Sequence, residues 1–244
     1  MKKVLVLTDN ILQYERFKNL VSEKQIPDCE FIYSHSPVNS PLEVHQDFLN
    51  KISSIDVNLQ TDFLISNFNL IISMHCFQFF PKALVNNVRC LNVHPGYNPI
   101  NRGWYPQVFA IINDLPIGAT IHEMDEKLDN GPIIARKFVK KDFTDTSDSL
   151  YEKILDAEIE LLEEYFESII NNTYKTNIPE EQGKLYLKKD FNRLCELNLN
   201  ETITFHDFYN KLRALSHSPY QNAYFINPET GKKVFISINI KESE

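Results

Sequence analysis

The sequence predicts an α/β protein: a largely parallel, Rossmann-like sheet followed by a small C-terminal module of a helix and a β-hairpin. Three observations predict it. Short, unbroken apolar runs at residues 4–7, 70–74 and 90–93 have the composition of strands covered on both faces. Helical segments separate most of the runs, which is the pattern of βαβ units. Asn10, residues 75–80 and residues 92–94 all fall at the carboxyl ends of these runs. In open α/β sheets ligands bind outside the carboxyl ends of the strands, so these three segments are expected to face one crevice.

The first strand is read at residues 4–7, ending at Thr8, Asp9 and Asn10. Tyr14, Phe17, Leu20 and Val21 follow at helical spacing. Residues 31–33 read as a second strand and 34–41 as a turn-rich loop. Leu70–Met74 is the third strand and residues 90–93 the fourth. Residues 117–124 and 133–139 read as strands flanking a loop around Asp129. From Ser149, read as a cap for Glu152 three residues on, an amphipathic helix runs to about Asn171, with Leu150, Ile154, Ala157, Leu161, Tyr165 and Ile169 on its apolar stripe. Glu158, Glu160, Glu163 and Glu164 are read as its solvated face. Residues 171–184 read as a linker, placing a catalytic domain at 1–177 and a small module at 178–244. In that module Phe205, Phe208, Leu212 and Leu215 mark a helix, and residues 223–226 and 234–240 flank the turn signal of residues 227–231. The module is too small to hold a core alone, so it packs on the first domain or on a second subunit, with a homodimer expected.

Composition narrows the function. The chain has 244 residues, 43% hydrophobic and 12% aromatic, and a formal net charge of −8. Such a balance argues against nucleic acid as a partner. No apolar stretch approaches the length of a membrane span, and the first residues read as a strand rather than a signal peptide. Cys29, Cys76, Cys90 and Cys195 show no metal spacing, which suits free thiols in a reducing cytoplasm. The histidines form no ligand spacing either, and no metal site is expected. Nor does Gly-x-Gly-x-x-Gly follow the first strand, so a dinucleotide cofactor has no fingerprint.

The chemistry concentrates in Asn92-Val93-His94-Pro95-Gly96 and, 35 residues after the histidine, in Asp129-Asn130-Gly131. Four of the six glycines and five of the twelve prolines lie between Pro95 and Pro132, a crowding that suggests a shaped pocket wall. An amide, an imidazole and a carboxylate form a set for acyl transfer. Asn92 can donate to a developing oxyanion, His94 can stabilise it or move a proton, and Asp129 can orient and charge the imidazole. His75 and His122, near the same crevice, are read as structural. Arg102 is a candidate partner for phosphate or sugar oxygens through its forked guanidinium, Trp104 follows it, and Asn10 is within reach of the same crevice.

These motifs, in this order and spacing, resemble the formyltransferases that use N10-formyltetrahydrofolate. The resemblance runs from about Met1 to Asn172. Within that family, residues 102–107 and 118–125 look most like the branch acting on dTDP-linked amino sugars. It implies transfer of a formyl group from N10-formyltetrahydrofolate to the amine of such a sugar, for a surface polysaccharide. It further implies a pterin held between Gln78, Phe79 and Phe80 on one wall and Asp125, Glu126, Lys127, Leu128 and Asp129 on the other. Arg102, Trp104 and Asn10 would then face the nucleotide sugar, and Tyr220 would stack on the thymine. Formylation of glycinamide ribonucleotide or an aminoacyl-tRNA, release of formate by hydrolysis, and a non-catalytic folate- or nucleotide-binding module are the alternatives.

Overall fold

The computed structural model describes residues 1–37 and 51–243. His45 and part of the loop read at 34–41 lie outside them. Seven strands form the main sheet: β1 (Lys2–Thr8), β2 (Cys29–His35), β3 (Ser53–Ser54), β4 (Leu70–Met74), β5 (Arg89–His94), β7 (Ile117–Glu123) and β8 (Ile133–Val139), in the order β3-β2-β1-β4-β5-β7-β8. The pairings from β3 to β5 are parallel, and β7 and β8 then run antiparallel. The short β6 (Arg102–Gly103) lies between β5 and β7 in the chain.

Alternation along the central strands sorts the core into two layers. Val4, Val6, Leu70, Ile72, Leu91 and Val93 face α1 (Ile11–Lys24) and α5 (Ser147–Asn171). Leu5, Leu7, Ile71 and Cys90 face the other way, against Leu64 of α2 (Thr61–Asn67) and Leu84 of α3 (Lys82–Val85). Both layers are needed because a parallel sheet exposes apolar side chains on each face. A further helix, α4 (Pro106–Ile112), precedes β7.

The long helix departs from its expected start. Thr146 is the N-cap, its hydroxyl accepting from the Ser149 amide, and Ser149 returns the bond as the third helical residue. The capping box therefore begins three residues earlier than the Ser149–Glu152 pair suggested. Glu158 also departs from expectation. It stands one turn from Ile154 on the buried side and is fully enclosed, whereas Glu160, Glu163 and Glu164 are exposed. The apolar stripe is wider than the three-and-four count implied, and a carboxylate inside it survives because Gln13 and His75 donate to it.

Residues 172–184 are strapped to the sheet domain by paired bonds between Ile133 and Asn177 and by the Gly183 amide on the Pro99 carbonyl. Then come β9 (Leu185–Tyr186), paired with β6, and a helix the sequence did not signal, α6 (Lys188–Cys195). Next are α7 (Phe205–Leu215), β10 (Ser216–His217), β11 (Tyr220–Gln221), β12 (Tyr224–Ile226) and β13 (Lys233–Phe235). The hairpin pairs Tyr224 with Phe235 and Ile226 with Lys233, so the second strand ends five residues short of its expected limit. The tail shares the main core. Tyr186 stacks on Phe109 with ring centres 3.9 Å apart, Phe191 on Tyr105 at 4.0 Å, and Ala214, Leu215 and Ala223 are buried.

Candidate active site

One cavity of about 560 Å³ opens at the carboxyl ends of β1, β4 and β5. Asp9 organises its rim. Its two carboxylate oxygens accept from the Ser36 amide and hydroxyl and from the Phe77 amide, at 2.6 to 2.7 Å, tying together the loops that follow β1, β2 and β4. The thiol of Cys76 beside it is pushed up to about 12 by burial and by the Asp9 charge. It is therefore no nucleophile at neutral pH.

Asn92 and His94 lie two residues apart on β5 and so share one face. Directly across the antiparallel ladder stand His122 opposite Asn92 and Thr120 opposite His94. Asp129 reaches the same point from the loop after β7, its backbone in the left-handed region at φ 47°. Sequence spacing alone brought Asn92, His94 and Asp129 into one group, and the cavity wall contains all three.

The hydrogen bonds fix the roles of the two rings. His122 Nδ1 donates to the Glu123 carbonyl at 2.7 Å, so its Nε2 accepts from the Asn92 amide at 3.3 Å. His94 Nε2 donates to the Asn101 carbonyl at 2.7 Å. That leaves His94 Nδ1 as the nitrogen facing Asp129 Oδ2, 3.7 Å away. Gly96 allows this contact: a β-carbon there would lie 2.5 Å from His94 Nε2 and 2.6 Å from the Asn101 oxygen. The ring orientation is thus set by backbone, and Asp129 acts on its charge.

Asp129 is buried, and each oxygen has a donor: Asn92 Nδ2 to Oδ1 at 3.1 Å and the Gly103 amide to Oδ2 at 2.9 Å. Gly103 presents that amide from a φ of 91° with the Tyr186 carbonyl where a β-carbon would sit, which restricts the position to glycine. Burial alone would raise the Asp129 carboxyl. When His94 and His122 carry their second protons, their charges and the Gly103 donor outweigh it and hold the group well below the usual carboxylate range. Both hydrogens of the Asn92 amide are taken, by Asp129 and His122. A ligand oxygen reaches Asn92 by replacing one of them.

The other expected residues divide. Asn10, Gln78, Phe79, Phe80, Trp104, Asp125, Lys127, Leu128 and Tyr220 line the cavity. Phe79 is exposed, Phe80 is buried in the core layer of Leu5, Leu7 and Ile71, and the Gln78 side chain is anchored to Ile55 and Val57. Two residues are not among the lining. Arg102 is buried with its guanidinium on the Leu128 carbonyl at 2.8 Å, where it braces the Asp129 loop rather than facing a ligand. Glu126 turns outward to Lys82 and Asn86. Asn10 has a second duty, since its side-chain oxygen caps α1.

Sequence reasoning missed His122, which the Thr120-x-His122 echo of Asn92-x-His94 across a hairpin could have revealed. It placed His75 near the crevice but as a structural residue, and it missed Asp9, Tyr151, Lys188 and His217, all on the cavity wall. Lys188, from the tail, holds its ammonium 4.0 Å from the centre of the Trp104 ring, which in turn stacks on Phe77. No local signal marked it, because it lies at the start of the helix the sequence did not show.

Residues 13–165 match the family described as formyl transferase, and residues 190–242 match the N-formyltransferase dimerization C-terminal domain. The chain is 40% identical over 235 residues to a dTDP-4-amino-4,6-dideoxyglucose formyltransferase of Mycobacterium tuberculosis, covering 96% of this chain and 95% of the relative. Its fold is similar to that of a sugar N-formyltransferase from Shewanella sp FDAARGOS_354, with TM-score 0.94, 37% identity and full coverage of both chains. It is likewise similar to a 4-N formyltransferase from Francisella tularensis, with TM-score 0.92, 38% identity and 99% of each chain covered. With the triad assembled at the carboxyl edge of the sheet and both modules matched, the chain belongs to the formyl transferase family.

Proposed function

We propose that this protein transfers a formyl group from N10-formyltetrahydrofolate to the C4 amine of a dTDP-linked 4-amino-4,6-dideoxy sugar. The observation that carries the reading is the convergence of Asn92, His94 and Asp129 on one cavity large enough for a small ligand with its donor. Formyl transfer between amines is supported by the family, and the dTDP sugar and its C4 position by the names of relatives at 38% to 40% identity.

The folate supplies an activated formyl carbon. A flat pterin suits the wall of Phe79 and Phe80, whose Phe80 amide and carbonyl carry no hydrogen bond among the described residues, with Asp125, Lys127 and Leu128 opposite. Asn92 donates to the formyl oxygen as negative charge develops there, exchanging its bond to His122 or Asp129 for this stronger one. His94 Nδ1, the nitrogen left facing the cavity side of Asp129, takes the proton released by the attacking amine and returns it to the donor nitrogen as the bond between that nitrogen and the formyl carbon breaks. Asp129 stays ionised and stabilises the imidazolium. Lys188, rather than the buried Arg102, is positioned for the diphosphate, and Tyr220 at the rim for the base.

The protein works as a cytoplasmic homodimer, joined through the C-terminal module, and its product feeds surface polysaccharide synthesis such as lipopolysaccharide O-antigen. Support for the dimer is the matched dimerization domain and the half-exposed Ile226 and Phe235 of the hairpin. Free cysteines and the lack, among the described residues, of any helix long and apolar enough to cross a membrane fit a cytoplasmic enzyme. The test is incubation with N10-formyltetrahydrofolate and matched dTDP-4-amino and dTDP-3-amino sugars, read by mass spectrometry. Formyl gain confined to the 4-amino sugar is expected. Gain on the 3-amino sugar alone overturns the position, and gain on neither overturns the substrate class.

A further inference from the structure

A second polar chain enters the same cavity from the core. Glu158 of α5 is completely buried, a placement that a carboxylate tolerates only with strong partners. Its Oε2 accepts from Gln13 Nε2 at 2.6 Å and meets His75 Nε2 at 2.7 Å, while Oε1 has no partner among the described residues. The Gln13 amide also donates to the Leu155 carbonyl at 3.0 Å, so both its hydrogens are placed. The close contact between Glu158 and His75 requires a proton, and with the carboxylate ionised it stands on His75 Nε2.

His75 Nδ1 lies 3.0 Å from the Tyr151 hydroxyl. With the ring neutral and its proton on Nε2, Nδ1 can only accept, so it takes the Tyr151 proton. The phenol oxygen then receives the Asn10 amide at 3.5 Å and keeps a lone pair for the cavity that all three residues line. His75 is held for this at a φ of 57°, a conformation that non-glycine residues seldom adopt.

The position of Tyr151 points to what it meets. On one side His75 follows β4, whose Met74 is opposite Val93, next to the catalytic His94. On the other side the Tyr151 ring is 5.5 Å from His217, and His217 is 5.9 Å from Tyr220 at the rim. The phenol oxygen stands between the reacting end and the place proposed for the base, where a sugar ring would lie.

We propose that Glu158 and His75 lock the Tyr151 hydroxyl as a hydrogen-bond acceptor for a hydroxyl of the bound amino sugar. Tyr151 is then a specificity-determining residue, and His75 and Glu158 are positioning residues that act through it. The inference rests on the cavity being a nucleotide-sugar site. An oxygen so arranged rewards a sugar carrying a hydroxyl there and rejects one that offers no proton.

The test compares Tyr151→Phe, His75→Asn and the double variant. Asparagine is chosen because it tolerates the left-handed backbone. Steady-state kinetics on the dTDP-amino sugar should show KM raised about five- to tenfold in each single variant, the effect of one neutral hydrogen bond, with kcat within about threefold. The double variant should be no worse than the worse single, because His75 works through the hydroxyl. Affinity for dTDP alone, by titration, should not change. One deoxy analogue of the sugar should bind wild type and Tyr151→Phe equally, a comparison that stands even if His75→Asn does not fold. Losses that multiply in the double variant overturn the proposal, as do an unchanged KM in Tyr151→Phe, an equal weakening for dTDP alone, or no analogue that equalises the two. A wild type that formylates no dTDP-amino sugar overturns the substrate reading instead, before any variant is compared.

Discussion

At the residue scale, Asp129 is where electrostatics and chemistry meet. Replacement by Asn places a second amide against the Gly103 and Asn92 donors and removes the charge opposite His94. Turnover should fall about 10²- to 10⁴-fold, the range for a lost acid–base contribution, with the nucleotide sugar bound nearly as before. Steady-state rates beside calorimetric titration check this. Stability carries its own signature. A carboxyl held below its ordinary value contributes fully above the unfolded value of about 3.9 and loses that contribution as pH falls through the folded one. The stability difference between wild type and Asp129→Asn, from urea denaturation, should be present at about pH 5 and shrink below about pH 4. A gap that grows in acid would mean that burial, not the histidines, governs the group. Asn92, His94 and Asp129 were legible because motif spacing encodes them. His122 was not, since only the β5–β7 register shows that it faces Asn92.

At the scale of elements, the central strands were legible because unbroken apolar runs have few other uses, and Leu70–Met74 and Ile133–Val139 match their expected limits. The capping of α5 and the burial of Glu158 were not, because both depend on partners remote in sequence. Asn10 separates the two kinds of information. Its oxygen caps α1 through the Gln13 amide, while its nitrogen faces Tyr151 and the cavity. Asn10→Ala loses both and should cost about 1 kcal/mol of stability. Asn10→Asp keeps the cap and should hold the melting temperature of wild type, yet raise KM for the nucleotide sugar as Ala does. Thermal melts and kinetics on the two variants decide it, and an Asp variant with unchanged KM would leave Asn10 a cap alone.

At the scale of the whole molecule, the small C-terminal module was legible as a helix and a hairpin, but its contact with the sheet was not. Aromatic stacking of Tyr186 on Phe109 and Phe191 on Tyr105 leaves no pattern in either segment. Cutting the chain near Asn177 would strip buried surface from the catalytic core, so the dimer is better tested by charge. Ile226→Glu with Phe235→Glu should turn a sedimenting dimer into a monomer with an unchanged melting profile at low concentration, because neither side chain belongs to the buried core. A variant that still sediments as a dimer places the interface elsewhere. The tail also gives Lys188, Phe191, His217, Tyr220 and Asn222 to the cavity wall, while Asn92, His94 and Asp129, the groups proposed to react, come from β5 and the loop after β7. On the proposed reading, the grip on the nucleotide and the reaction are therefore written in separate stretches of the gene. A lineage can then retune its hold on the nucleotide by drift in its last sixty residues or so, and inherit the formyl chemistry and the Tyr151 contact to the sugar untouched.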